Sequence, residues 1–120
     1  MTKKIDISGK WLYKEDFGYG VDTGYAILEQ ENDRVTGFIK YTEQIEGDIT
    51  FMIKQQVEGD FDGLTLRIKG VAVETMPLEE AEGYSFDVWE GSMANPKKIS
   101  GKSVDETGIY GNFTFIKEDL

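Results

Sequence analysis

Apolar residues in this chain return at every second position in short runs. From Ile5 to Tyr13, residues Ile5, Ile7, Gly9, Trp11 and Tyr13 fall on one face, while Asp6, Ser8 and Lys10 fall on the other with Leu12 as the apolar exception. A half-buried strand requires this period of two. Further runs predict strands at Tyr25–Gln30, Val35–Thr42, Ile49–Val57, Leu64–Val73, Tyr84–Trp89, Ile99–Val104 and Ile109–Lys117. Between them, Lys14–Thr23 and Glu90–Pro96 read as loops, and Glu31-Asn32-Asp33-Arg34 as a tight turn whose Asn and Asp tolerate a left-handed backbone. The fifth strand changes phase: Leu64, Leu66 and Ile68 are even, Val71 and Val73 odd, and Gly70 at the break predicts a bulge. Only Thr75–Gly83 is suited to helix, and it predicts at most a short helical turn near residues 77–82.

An apolar-x-Gly signature recurs at Val35-Thr36-Gly37, Ile45-Glu46-Gly47, Val57-Glu58-Gly59, Ile68-Lys69-Gly70, Ile99-Ser100-Gly101 and Ile109-Tyr110-Gly111. Eight short strands with short connections predict an all-β fold, an eight-stranded antiparallel up-and-down β-barrel filling residues 1–120 as one domain. Closure would pair the first strand with the eighth and leave no open edge. A two-sheet β-sandwich is the alternative.

Composition narrows the chemistry. With no cysteine and no histidine, the chain lacks thiolate ligands and nucleophiles, the commonest general base and the commonest transition-metal ligand. The expectation is a protein that is not an enzyme and needs no cofactor or metal. Its net charge of −10 disfavours nucleic acid and anionic membranes as partners. The first residues lack the apolar run of an export signal, so the expected location is cytoplasmic.

Gly9-Lys10-Trp11, near the start of an eight-stranded meander, resembles the Gly-x-Trp opening of calycin barrels, the lipocalin and avidin kind. The resemblance implies an up-and-down barrel and a small ligand in its interior. It stops short of biotin, because Tyr13 stands where the avidins carry a polar ligand-holding residue.

Several constellations are candidates for chemistry. Glu58-Gly59-Asp60-Phe61-Asp62-Gly63 alternates acids before a glycine as a calcium loop does, but Lys69 stands where the closing glutamate belongs, and an acidic hairpin turn explains it. Asp87 is flanked by Phe86, Val88 and Trp89, and the simplest placement for it is the wet face of a strand. A hydrolase using carboxylates alone would need a buried acidic pair. Trp11, Tyr13, Phe51, Phe86 and Phe113 supply aromatic area for a packed core or for an apolar ligand cavity, with Gln55 and Arg67 as polar anchors if they point inward.

The acids cluster along the sequence. No Lys or Arg interrupts Glu15 to Asp33 or Val71 to Pro96. An acidic rim built from Glu15, Asp16, Asp22, Glu74, Glu79, Glu80, Glu82, Asp87 and Glu90, interleaved with Tyr19, Tyr25, Tyr84 and Trp89, would suit a basic protein partner. Acidic, cysteine-free immunity proteins that neutralise bacterial toxins, for example a nuclease, are similar in size and charge. The leading expectation is therefore a non-catalytic inhibitor of that kind. The alternative is a calycin-like carrier of a small apolar or amphipathic ligand.

Overall fold

In the computed structural model, which describes residues 5–18, 20–45, 51–76, 86–108 and 110–118, the chain forms eight antiparallel strands and, among those residues, no helix. They are β1 (Gly9–Asp16), β2 (Gly20–Glu31), β3 (Arg34–Ile45), β4 (Phe51–Phe61), β5 (Thr65–Met76), β6 (Asp87–Asn95), β7 (Lys98–Asp105) and β8 (Tyr110–Lys117). Each pairs with its sequence neighbour, and β1 closes onto β8 with Tyr13 opposite Phe115, so the sheet is a closed barrel rather than a sandwich. The helical turn expected near residues 77–82 lies outside the described residues.

The strands differ from the sequence-based bounds at both ends of the barrel. Lys14–Asp16 and Gly20–Thr23, expected in a loop, complete β1 and begin β2. Glu90–Asn95, also expected in a loop, is the body of β6, where Trp89, Gly91 and Met93 alternate inward. Conversely, Ile5–Ser8 is not strand. It folds across the base of the barrel, where Ile7 is fully buried and donates its backbone N–H to Gln30 Oε1 at 2.9 Å. Trp11 then donates its indole N–H to the Ile7 carbonyl at 2.8 Å, and Lys117 covers the indole face with its Nζ 5.0 Å from the ring centre. A base sealed by an aromatic plug and a cation–π contact needs no further strand.

The repeated apolar-x-Gly signature has a mechanical origin. Val35, Val57, Ile68 and Ile99 point into the core, and the glycine two residues later faces inward as well. At several of these glycines a neighbouring strand leaves no space for a side chain. A Cβ on Gly59 would lie 2.7 Å from Ile68 Cα, and one on Gly37 would lie 3.1 Å from Leu28 Cα. Glycine at these positions lets a narrow sheet coil tightly enough to close. The expected bulge is present: Val57 pairs with Gly70 and Gln56 with Ala72, leaving Val71 as the extra, exposed residue. It resets the phase so that Val73 and Thr75 face inward.

The interior is divided along the barrel axis. Toward the base, Ile7, Trp11, Leu28, Val35, Phe61, Leu66, Ile99 and Phe115 form a dry core. Toward the opposite end, where β1 meets β2, β3 meets β4, β5 meets β6 and β7 meets β8, the inward side chains turn polar.

Candidate functional site

The polar end is built by the same alternation that builds the core. On β1 the inward series Trp11, Tyr13 continues to Glu15, and on β2 the series Leu28, Ala26 leads back to Asp22. β3 adds Tyr41 and Glu43, β4 adds Gln55, β5 adds Thr75, β6 adds Asp87 and Trp89, and β7 adds Ser103. Glycine makes the space: a Cβ on Gly111 would lie 3.0 Å from Glu15 Cγ, and one on Gly70 would collide with Gln55 Oε1.

Strand register sets the acids side by side. Glu15 lies opposite Asp22, and Asp22 lies opposite Glu43, so three neighbouring strands each present a carboxyl to the interior. Across the barrel Asp87 lies opposite Asp105. Like charges directly opposite on adjacent strands are destabilising. Among the described residues no Lys or Arg is buried to offset them.

Hydrogen-bond donors in the wall are spent on these acids. Trp89 Nε1–H donates to the Tyr13 hydroxyl at 3.1 Å, and Tyr13 donates in turn to Glu15 Oε1 at 3.0 Å. Ser103 also supports the Glu15 carboxyl. Gln55 Nε2 donates to Asp87 Oδ2 at 2.7 Å and to the Tyr41 hydroxyl at 2.8 Å, while its Oε1 accepts the Asp87 backbone N–H at 3.4 Å. Asp22 is 2% exposed, and as a protonated carboxyl it hydrogen-bonds the Glu43 and Glu15 carboxyls beside it.

Burial and mutual repulsion hold protons on this group. Desolvation, followed by the Glu43 and Glu15 charges, pushes Asp22 up to about 10. Desolvation, offset in part by Gln55 and augmented by the Glu15 charge, pushes Asp87 up to about 7. Glu15 is also raised, chiefly by burial. Burial and the Glu15 charge likewise push the Tyr13 phenol well above its ordinary value.

The sequence-predicted site residues separate into groups. Tyr13, Gln55 and Phe113 are buried in the interior, Phe86 is half-buried beside Gly70, and Trp11 belongs to the base plug. Arg67 is a correction: it points outward, 3.8 Å from Glu90, because the strand phase set by Leu66 and Ile68 puts position 67 on the outer wall. The expected rim changes too. Glu15, Asp22 and Trp89 are buried, and Asp87 is half-buried against Gln55, because each shares the inward face of its strand. Asp16, Glu74 and Glu90 are exposed on the outside. Tyr25 is on the outer wall under Lys10, whose Nζ is 4.7 Å from the ring centre. Tyr19, Glu79, Glu80, Glu82 and Tyr84 lie outside the described residues, as does the side chain of Phe51.

In the calcium-like segment Asp62 Oδ1 instead accepts the backbone N–H groups of Leu64 and Thr65 at 2.9 and 2.7 Å, the work of a turn residue. Tyr41, Glu43, Thr75 and Ser103 are functional-site residues that the sequence did not single out. Their only signal is parity with Ile39, Val73 and Ile99 on their own strands, which does not distinguish a polar residue facing inward near a strand end from one in a loop.

No protein-family model matches the chain, and no curated protein matches it. Solved structures do. The redesigned β-barrel mFAP1, bound to DFHBI, aligns with a TM-score of 0.64 at 12% identity over 92% of this chain and 94% of that one. The redesigned barrel mFAP0, also bound to DFHBI, aligns at 0.61 and 14% identity over 92% and 98%. A de novo designed fluorescence-activating β-barrel aligns at 0.55 and 11% identity over 93% and 94%. At such identities the likeness is one of architecture: the chain is a closed eight-stranded antiparallel barrel of the kind these designed proteins form.

Proposed function

We propose that this protein is a non-catalytic binding protein that takes a small ligand into the polar end of its barrel, in the manner of the calycin carriers that Gly9-Lys10-Trp11 resembles. The observation that carries the reading is a row of inward carboxyls, Glu15, Asp22 and Glu43 in register on three adjacent strands, with no buried Lys or Arg among the described residues. Like charges in register are costly to bury, which marks a place where a further group belongs. The dry core below gives such a site a rigid floor. Barrels of the same architecture bind a small molecule, DFHBI, in two of the similar structures. The expected basic protein partner has less to rest on, since Glu15, Asp22 and Trp89 are withdrawn from the surface that would meet it.

A second reading is favoured by Glu15 beside Asp22, a buried acidic pair of the sort a carboxylate-only hydrolase uses. Turnover would require one of the pair to be ionised at working pH, whereas burial and the Glu43 and Glu15 charges push Asp22 up to about 10 and burial raises Glu15 as well.

The test is a titration of ¹⁵N-labelled protein with small aromatic fragments, charged and neutral, followed by NMR. Fragments binding at about 1 mM, worth roughly −4 kcal/mol, are expected to move the amides of Glu15, Asp22, Gln55, Asp87 and Ser103. The amides of Leu28, Phe61 and Ile99 should stay in place. Shifts confined to the outer wall, or none from any fragment, would reject the interior site.

A further inference from the structure

We infer that the outer wall of β5 to β8 carries a second site, a trough for a neutral saccharide whose ring stacks on Tyr110 and whose hydroxyls meet Glu90, Lys102 and Asn112. This site is separate from the barrel interior and does not depend on the reading above.

The alternation that fills the core also orders this wall into three rungs. Nearest the polar end, Val88 lies opposite Val104 and Val104 opposite Tyr110, an apolar rung. Two residues along, Arg67, Glu90, Lys102 and Asn112 are in register across the four strands. Two further along, Thr65, Ser92 and Ser100 make a rung of hydroxyls. Successive rungs are about 7 Å apart, the repeat of a strand, so a sugar ring with its hydroxyls spans from one to the next.

The wall is drawn in behind these rungs. Gly91 lies opposite Gly101, and a Cβ on Gly101 would lie 2.5 Å from Gly91 Cα. Outside this close approach is a concavity of about 470 Å³, floored by Gly91 and Gly101 and sided by the three rungs. A second of about 470 Å³ adjoins it at Ser100 and Lys102 and continues to Asn112 and Thr114. Each is in the size range of small-ligand sites.

Three features select the ligand. Tyr110 is 67% exposed, and among the described residues no cation or ring lies against it. Elsewhere on the outer wall Lys10 covers Tyr25 at 4.7 Å and Lys54 covers Phe38 at 4.4 Å. A bare ring beside two valines suits the C–H face of a sugar. The second feature is the supply of polar groups. The side chains of Ser92, Ser100, Lys102 and Asn112 make no hydrogen bond or ion pair among the described residues, and Arg67 stands 3.8 Å from Glu90. They present donors and acceptors together, as a ligand rich in hydroxyls requires. The third feature is charge. In a chain of net charge −10 the trough is nearly balanced, with Arg67, Lys102 and Lys14 against Glu90 and Asp16. An anion or a cation would meet its own sign on one side, and a neutral ligand does not. An extended peptide fits less well, because a closed barrel presents no sheet edge for it to join.

The deciding experiment is an NMR titration of the ¹⁵N-labelled full chain with cellobiose, maltose, lactose and glucose, with glucuronate and glucosamine as charged counterparts of glucose. At least one disaccharide is expected to bind with a Kd of about 1–5 mM. It should move the amides of Glu90, Ser92, Lys102 and Asn112 and leave those of Lys40 and Lys54 in place. Tyr110→Ala, which leaves the core intact because the ring is exposed, should weaken binding about tenfold. Tyr110→Phe should retain it, since the ring rather than the hydroxyl makes the contact. No shift in the trough from any disaccharide at about 20 mM would overturn the proposal. A charged sugar that binds more tightly than glucose, or binding untouched by Tyr110→Ala, would overturn it as well. Shifts confined to Glu15, Asp22 and Gln55 would move the sugar to the interior, overturning the trough while leaving the interior reading standing.

Discussion

Asp22 concentrates the physics of the molecule in one side chain. It is 2% exposed, faces acids on both neighbouring strands, and hydrogen-bonds both of them. The unfolded chain leaves Asp22 freely ionised, whereas the folded barrel holds it protonated up to about pH 10. Near neutral pH the wild-type chain must therefore take up a proton to fold, and an amide of the same shape need not. Asp22→Asn is expected to stabilise the ligand-free protein near pH 8 by about 1–4 kcal/mol, as replacement of poorly compensated buried charge often does. Urea unfolding at pH 8 and at pH 4.5 checks this, because the gain should shrink at the lower pH, where protonating an ordinary carboxylate costs little. A residue whose replacement improves stability is kept for something other than folding. Little of this was legible in the sequence. Glu15 and Asp22 stand in a run of acids without Lys or Arg, which reads as a wet surface, and their inward direction depends on strands that extend into a stretch rich in Gly and Asp. Gln55, by contrast, was legible as a candidate because Ile53 and Val57 flank it at a spacing of two.

The strands themselves were largely readable, because the core side of each keeps a strict alternation that only an inward face requires. The phase break at Gly70 correctly pointed to the bulge that sets Val73 and Thr75 inward. The same break made Arg67 ambiguous, since an anchor in that strand gains or loses its inward direction with a shift of one residue. The glycine signature marks closure independently of any pairing, and it supports a graded test. Gly59→Ala puts a methyl 2.7 Å from Ile68 Cα, with backbone on the receiving side. Gly63→Ala adds a methyl to open space and strains only a backbone at φ +98°. The first should cost about 2–3 kcal/mol and the second about 1 kcal/mol, measured by urea unfolding. Equal costs would mean that the strands near Gly59 can separate, and that the signature reflects chain flexibility rather than close approach.

Across the whole molecule the two halves of the barrel interior respond differently to pH. The base contributes apolar burial that does not titrate. Glu15, Asp22 and Asp87 at the other end have raised pKa values in the folded state, so their contribution to stability is complete below the ordinary carboxylate range and is lost as pH rises through the folded values. Asp6 and Asp62 are lowered by hydrogen bonds, to Ser8 and to the Thr65 and Leu64 backbone respectively, and lose their contribution only at strongly acidic pH. Tyr13, raised by burial, adds a loss at the alkaline side in the same direction as the interior acids. Relief of the overall charge of −10 on acidification reinforces the trend. The barrel is thus expected to melt at a higher temperature near pH 5 than near pH 8, the reverse of a protein held by salt-bridged carboxylates. Asp87 alone, raised to about 7, accounts for about 2 kcal/mol between pH 7 and pH 5, or roughly 10 °C in Tm. Calorimetric scans across that range check the sign. A melting temperature that instead falls steadily from pH 8 to pH 5 would mean that the carboxyls are solvated and ionised in the folded barrel. In that case the polar end is an open, wet mouth whose carboxyls are met by water.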